Sequence, residues 1–371
     1  MAIYFLLMAF VLGASPLKKQ SKKMYLIICL FFIWIIMAFR SYFVGNDTIA
    51  YVNMFPSLAS LPLSLYGSNL FSILFTKNRF EYGYVVFDKL VYSLSHNPRW
   101  LLIISSFIIV FFLGYILCKY SNDLTLALII FITMGFMSGS MSQIRQYIAW
   151  AICLYSIGYI VNNNLFKFIL AIIIAMLFHI SAIIFLPLYW LAKMKLNLKK
   201  GILFFVITLP LFIFFDSISN TVGLFINSYN DYAEQLANNG TTGYLSITTN
   251  LIIFSLLFVL ILYLSHINKW KNLGEKKLKL HNLSLWMLVC AFAVFVLSYK
   301  FSQLDRLSTY FTCSIMFLLP NELENGEQSA TKQILKIIVI VFMIANFVIV
   351  NILRPEWNGI VPYHFLSMWW G

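Results

Sequence analysis

The amino-acid sequence predicts an all-α polytopic membrane protein, with about 11–12 transmembrane helices at roughly 20 residues per crossing. Three observations lead there. Residues of the AVILMFWYC class make up 61% of the 371 and charged residues only 11%, against about half and about a quarter in a soluble domain, whose surface must be wetted. Mean hydropathy is +0.85. The apolar residues also gather into runs, at 3–14, 24–39, 101–118, 124–141, 147–161, 165–192, 201–215, 248–267, 283–299, 307–320 and 334–353. Such a bundle is expected to form one integral membrane domain over 1–371.

The basic residues set the expected orientation. The net charge is +13, but the lysines sit in short loops between apolar runs, as the positive-inside rule requires, so nucleic acid is not an expected partner. Lys18, Lys19, Lys22 and Lys23 lie between the first two runs, which puts that loop in the cytoplasm and the N-terminus outside. Lys193, Lys195, Lys199 and Lys200 mark a second inside loop, and Lys269, Lys271, Lys276, Lys277 and Lys279 a third. The first run has no basic segment before it, so a cleaved signal peptide is not expected. Cys29, Cys118, Cys153, Cys290 and Cys313 lie in or beside apolar runs without a CxxC pair and read as small packing residues.

Run 165–192 breaks the parity of crossings. It starts after Asn162-Asn163-Asn164, on the inside by count, and ends at an inside lysine cluster. A re-entrant or broken helix pair, turning near Phe178-His179-Ile180-Ser181, satisfies both ends. One long tilted helix beside a misleading lysine cluster is the other reading. Irregular backbone at membrane depth is tolerated only where it lines a cavity or is buried in protein. External loops are expected at about 40–100 and 216–247, with a tail from Arg354. The first suits interfacial helices at 63–75 and 82–94. The second, rich in Asn, Ser, Gly and Tyr, suits a lid or a sugar-contacting loop.

Charged groups near a bilayer are costly and usually line a path or cavity. On this topology Arg40, Asp47, Glu81, Arg145, His179, Asp305 and Arg306 all fall on the outer side, and they are expected to converge there. Gln143, Arg145 and Gln146 share one helical turn, offering a guanidinium and two amides. The guanidinium can bind phosphate or carboxylate through paired hydrogen bonds, or reach out to lipid headgroups. Asp47, in Gly45-Asn46-Asp47-Thr48, either caps the helix carrying Tyr51 and Phe55 or holds a sugar hydroxyl. Glu81-Tyr82-Gly83-Tyr84 sets a carboxylate among aromatics, which suits carbohydrate or a membrane interface. Asp305 and Arg306 either pair with each other or serve a site, and His179 is either a ligand group or a core histidine. No HExxH, GxSxG, P-loop or dinucleotide fingerprint occurs, and no carboxylate lies mid-span as an ion-coupled transporter would need.

In order and spacing these residues resemble the EpsG family of bacterial polysaccharide-assembly proteins, a branch of the Wzy-like O-antigen and capsule polymerases. The likeness rests on Arg40 with Gly45-Asn46-Asp47-Thr48 and Tyr51, on Glu81-Tyr82-Gly83-Tyr84, and on Ser142 with Arg145-Gln146 and Ala149. It continues through Phe178-His179-Ile180-Ser181-Ala182, Arg306 with Tyr310-Phe311, and Val361-Pro362-Tyr363. The resemblance implies a membrane glycosyltransferase that joins undecaprenyl-diphosphate-linked repeat units on the outer face of the bacterial plasma membrane, in O-antigen, capsule or exopolysaccharide biosynthesis. It implies no cofactor and no metal, since the glycosyl diphosphate bond supplies the energy. It also implies partners in the bilayer, the lipid-linked oligosaccharide, a chain-length regulator and a flippase.

On that reading Arg145, His179, Asp47 and Arg306 are the catalytic candidates. Arg40, Tyr51, Glu81, Gln143, Gln146, Asp305 and Tyr310 are the substrate-binding ones. The alternatives are a lipid-linked oligosaccharide flippase or other transporter, a membrane O-acyltransferase, and an O-antigen ligase. A transporter usually carries interrupted helices in both of two repeated halves, and no counterpart to the 165–192 interruption is evident here.

Overall fold

The computed structural model describes residues 1–76, 78–214, 242–268, 274–326 and 329–365. The loop expected at 216–247 lies outside them as far as residue 241, and its last residues open a helix. In chain order the described α-helices begin with α1 (Ala2–Gly13), α2 (Lys22–Ala38), α3 (Thr48–Ser60), α4 (Leu70–Leu74), α5 (Tyr82–Leu94) and α6 (Arg99–Tyr120). There follow α7 (Leu124–Thr133), α8 (Phe136–Ser142), α9 (Ile144–Val161), α10 (Leu165–Phe178), α11 (Leu188–Leu191) and α12 (Leu198–Ile213). The last are α13 (Thr242–Asn268), α14 (Glu275–Ser298), α15 (Asp305–Thr312), α16 (Ile315–Glu324), α17 (Ala330–Leu353) and α18 (Pro355–Asn358). Helix therefore occupies every apolar run.

Polar residues at the edges of the runs start the helices. Ser21, Asp123, Asn164, Asn197 and Ser329 each accept a hydrogen bond from a backbone N–H in the first turn of the helix they precede, satisfying donors that a helix leaves open. Six stretches are long and apolar enough to cross a bilayer alone: Ala2–Lys19, Arg99–Tyr120, Ile144–Val161, Gly243–Asn268, Glu275–Ser298 and Ala330–Leu353. A seventh arises if α7 and α8 count as one span bent by 50°. The other apolar runs form shorter or interrupted helices, so the expected 11–12 crossings outnumber the helices that span by length alone. The chain is an all-α polytopic membrane protein.

Two breaks shape it. Between α7 and α8 the chain turns at Met134-Gly135, where Gly135 takes φ +83°, a conformation that costs glycine least. Run 124–141, read from sequence as one span, is thus broken. The break expected in 165–192 is present. α10 stops at Phe178, His179 is extended (φ −158°, ψ 120°), and a 3₁₀ turn over Ile180–Phe185 leads to α11. The helix expected at 82–94 is α5, with those bounds. The one expected at 63–75 is not continuous. It divides into a 3₁₀ turn, Leu63–Tyr66, and α4, because Gly67 (φ +75°) ends the turn and Asn69 caps a new start.

The chain falls into two compact units, each drawn from separated stretches. The first comprises Met1–Leu61, Gly83–Tyr155 and Ile315–Gly371. Its interior holds the fully buried rings of Tyr4, Tyr25, Phe131, Phe136 and Trp150. Asp123, almost wholly buried, binds Lys18 (3.1 Å) and Lys336, and Lys336 also reaches Glu324 (3.0 Å). This charged cluster ties the chain after α1 to the start of α7, the end of α16 and α17. The second unit comprises Pro62–Tyr82 and Ser156–Ser314. There the Asn282 side chain accepts from Leu196 N (2.7 Å) and donates to the Ala192 and Met194 carbonyls (3.2 and 2.8 Å). Trp286 donates to the same Met194 carbonyl at 2.7 Å, so the lysine-bearing turn after α11 is fastened to α14.

Candidate active site

In the first unit, the chain leaving α2 folds into a loop held from three sides. Arg40 is buried, and its guanidinium donates to the carbonyls of Met37, Val44 (3.2 Å) and Met141 (2.7 Å) and to the Thr48 hydroxyl (3.4 Å). Thr48 donates in turn to the Val44 and Met141 carbonyls (2.8 and 2.9 Å). Gly45 takes φ +94°, and a Cβ there would lie 2.9 Å from the Met141 carbonyl oxygen, so only glycine fits. Asn46 N donates to the Ser142 hydroxyl (3.0 Å), and its side-chain amide donates to the Glu356 carbonyl (3.0 Å). Gly45 N donates to the Gly359 carbonyl (2.7 Å). The tail is anchored by Tyr363 to the Ile36 carbonyl (2.8 Å) and by Ser41 N to the His364 carbonyl (2.8 Å).

Arg145 stands on the first turn of α9. Its Nε lies 3.5 Å from the Tyr51 hydroxyl, and its guanidinium carbon sits 5.9 Å from the centre of the Tyr84 ring. Tyr51 and Tyr84 meet edge to face at 5.9 Å. A half-buried guanidinium is thus held against two phenol rings. Gln146, one position on, is buried, and Gln143 presents a buried Oε1 with no hydrogen-bond partner among the described residues. Asp47 occupies the N-cap position of α3, but its side chain makes no capping hydrogen bond.

In the second unit polar side chains gather at the break after α10. His179 Nδ1 lies 2.6 Å from Glu81 Oε1, and the same oxygen accepts from Ile180 N at 3.4 Å. Glu81 is buried and His179 is about a quarter exposed. A carboxylate accepting from Nδ1–H fixes the imidazole tautomer and leaves the Nε2 lone pair available as a base. Two residues on, the Ser181 hydroxyl bonds that of buried Tyr310 (3.0 Å). Phe185 stacks on Phe311 at 6.3 Å. Asp305, at the start of α15, accepts from the Asn250 amide (3.4 Å), while its other oxygen is buried without a hydrogen bond among the described residues. Burial pushes the Asp305 carboxyl up to about 6, against the opposing pull of neighbouring Arg306.

The candidates thus fall into two groups. Arg40, Asp47, Tyr51, Gln143, Arg145 and Gln146 belong to the first unit, and Glu81, His179, Asp305, Arg306 and Tyr310 to the second. Arg40, read as a substrate-binding residue, directs its N–H groups to the Met37, Val44 and Met141 carbonyls and the Thr48 hydroxyl. Glu81, read as a sugar ligand, is the partner of His179. Sequence reasoning missed Asp88, buried on α5 with neither carboxyl oxygen hydrogen-bonded among the described residues. Its signal was spacing: Tyr84, Asp88 and Val91 share one buried stripe, so a carboxylate interrupts the apolar face. Among the described residues no three His, Cys, Asp or Glu side chains gather as a metal site.

Helices occupying the apolar runs, with polar side chains gathered at two points where helices start or break, define a polytopic membrane protein. The model of the EpsG family matches residues 22–365, nearly the whole chain, and the chain belongs to that family. The family is associated with Wzy-like polymerases, which supports a polysaccharide polymerase-type function. Comparison with curated proteins and with solved structures gave no match.

Proposed function

We propose that this chain is a metal-independent polysaccharide polymerase. In this reading it joins undecaprenyl-diphosphate-linked oligosaccharide repeat units on the outer face of the bacterial plasma membrane, in O-antigen, capsule or exopolysaccharide biosynthesis. The observation that carries it is the Glu81–His179 pair at 2.6 Å, in a chain whose family is associated with such polymerases. Glu81 holds Nδ1–H, and His179 Nε2 takes the proton from a sugar hydroxyl of the incoming repeat unit. That oxygen bonds to the anomeric carbon of the growing glycan. The bond from that carbon to the diphosphate oxygen breaks, and the undecaprenyl diphosphate leaves with the electron pair.

Charge grows on the leaving diphosphate, and a guanidinium stabilises it through paired hydrogen bonds. Arg145 has that role, and Arg306 is the second clamp. Tyr51, Gln143 and Gln146 are sugar and phosphate contacts beside Arg145, and Asp47 orients a hydroxyl. Asp305 and Tyr310 line the acceptor side with Ser181. The lysine-rich stretches face the cytoplasm in this reading. A flippase that delivers the substrate and a chain-length regulator are the expected partners.

The test is reconstitution with purified lipid-linked repeat units, read as a ladder of longer glycans. The wild type should make the ladder. His179→Ala and Arg145→Ala, purified at normal yield, should each leave single repeats. A full ladder from either variant refutes the assignment of that residue, and intact but unextended substrate moved across the membrane points to a flippase instead.

A further inference from the structure

In the first unit α2 and α6 enclose an apolar groove that none of the candidate residues lines. Its floor is a close helix approach at Gly114, where an added Cβ would lie 2.5 Å from Leu30 Cδ1. One wall is a chain of ring contacts, Phe31–Trp34 (5.9 Å), Trp34–Phe107 (6.3 Å) and Phe107–Phe111 (6.1 Å). The Trp34 indole donates to the Ile103 carbonyl at 3.1 Å, which fixes that wall.

At one end the lining changes character. Lys23 and Lys119 stand there with Tyr115 and Cys118, and among the described residues no acidic side chain lines the groove. Lys119 donates to the Tyr115 hydroxyl (3.1 Å) and lies over the rings of Tyr115 and Tyr120, which holds its ammonium at the rim. Lys23 is in the first turn of α2, where the helix dipole adds positive potential. From Lys23 to Trp34 the helix rises about 16 Å, about half of a hydrocarbon core roughly 30 Å thick.

A slot one leaflet deep, closed at its mouth by two cations, matches one lipid chemistry. A zwitterionic headgroup would bring its own cation against the lysines, and an uncharged one would leave them unmatched. On the reading above, the lipid-linked substrate offers its diphosphate to the opposite face, so the lysine end selects a lipid of its own leaflet. We propose that the α2–α6 groove is a binding site for an anionic phospholipid, with an acyl chain along Phe31–Trp34–Phe107–Phe111 and the phosphate on Lys23 and Lys119.

Cys118 provides the probe. It lines the lysine end and is exposed, whereas Cys29, Cys153, Cys290 and Cys313 are buried. Full-length protein is placed in nanodiscs of phosphatidylcholine, with or without phosphatidylglycerol, and alkylation of Cys118 by an uncharged maleimide is followed by mass spectrometry. Phosphatidylglycerol should slow alkylation, and soluble glycerol phosphate should not. Each lysine favours an anionic headgroup about fivefold, so Lys23→Gln with Lys119→Gln should raise the phosphatidylglycerol needed for half protection about thirtyfold.

Equal alkylation rates in the two lipid mixtures overturn the proposal, as does protection unchanged in the double variant. Protection by undecaprenyl phosphate with none from phosphatidylglycerol also overturns it and gives the groove to the substrate tail. If the double variant fails to fold, the wild-type comparison of the two lipid mixtures decides alone.

Discussion

Asp88 sits on the buried stripe of α5, between two ring contacts that join this helix to α3. Tyr84 meets Tyr51 (5.9 Å) and Tyr92 meets Phe55 (5.3 Å), and Asp88 lies one turn from each of the two α5 rings. The nearest charge in sequence, Lys89, turns its ammonium to the Ala59 carbonyl at 2.6 Å. Burial therefore dominates and pushes the Asp88 carboxyl up to about 7, against the weaker opposing pull of Lys89. An acid whose folded pKa lies above its unfolded value of about 4 stabilises the fold fully below the unfolded value, and that contribution is lost as pH rises to the folded one. At about 1.4 kcal/mol per unit, and with the folded carboxyl itself half ionised at its own pKa, roughly 2 kcal/mol disappears between about pH 5 and about pH 7. The perturbation is Asp88→Asn, which keeps the shape and removes the titration. Thermal unfolding of purified protein, followed by tryptophan fluorescence from about pH 5 to about pH 8, should show the wild-type midpoint falling over that window and the variant's holding steadier. Parallel pH profiles for the two proteins would refute the reasoning.

His179→Ala should lower the polymerisation rate about 10²–10⁴-fold, the usual worth of a positioned acid–base group, measured as initial ladder growth at saturating substrate. Glu81→Gln should cost about 100-fold or more while leaving substrate affinity near wild type, because it frees the imidazole tautomer and not a sugar contact. Arg145→Lys should retain the charge but lose paired hydrogen bonding, leaving roughly a tenth or less of the activity, checked beside Arg145→Ala in the same assay. Gly359 takes φ +61°, and a Cβ there would come within 1.9 Å of Asn46 Oδ1. Gly359→Ala should therefore lower stability by about 1–3 kcal/mol, read as a drop in the thermal midpoint.

Features that depend on bilayer thickness and helix period were legible in the sequence. The runs became helices because about 20 apolar residues with no water nearby must satisfy their backbone groups internally. α5 emerged with its expected bounds because its stripe repeats at the helical period. The break at His179 was readable because the lysine clusters favoured a turn there over one long tilted helix. The turn at Gly135 was not, since one glycine in an apolar run signals little until its φ is seen. Arg40 shows the harder limit. Part of what occupies its guanidinium is the Met141 carbonyl, 101 positions away, and no local pattern announces a long-range backbone acceptor. Glu81 and His179, 98 positions apart, were both singled out, but their pairing was not, because proximity belongs to the fold and not to either segment.

The loop after α2 also sets an order for biosynthesis. Its Asn46 side chain is secured by the Glu356 carbonyl, 310 residues further along, so the ribosome has delivered most of the protein before that fastening exists. An early-inserted helix must wait in the membrane for a late-made partner. Any event that halts translation upstream of residue 356 leaves Asn46 and Gly45 without the Glu356 and Gly359 carbonyls that fasten them.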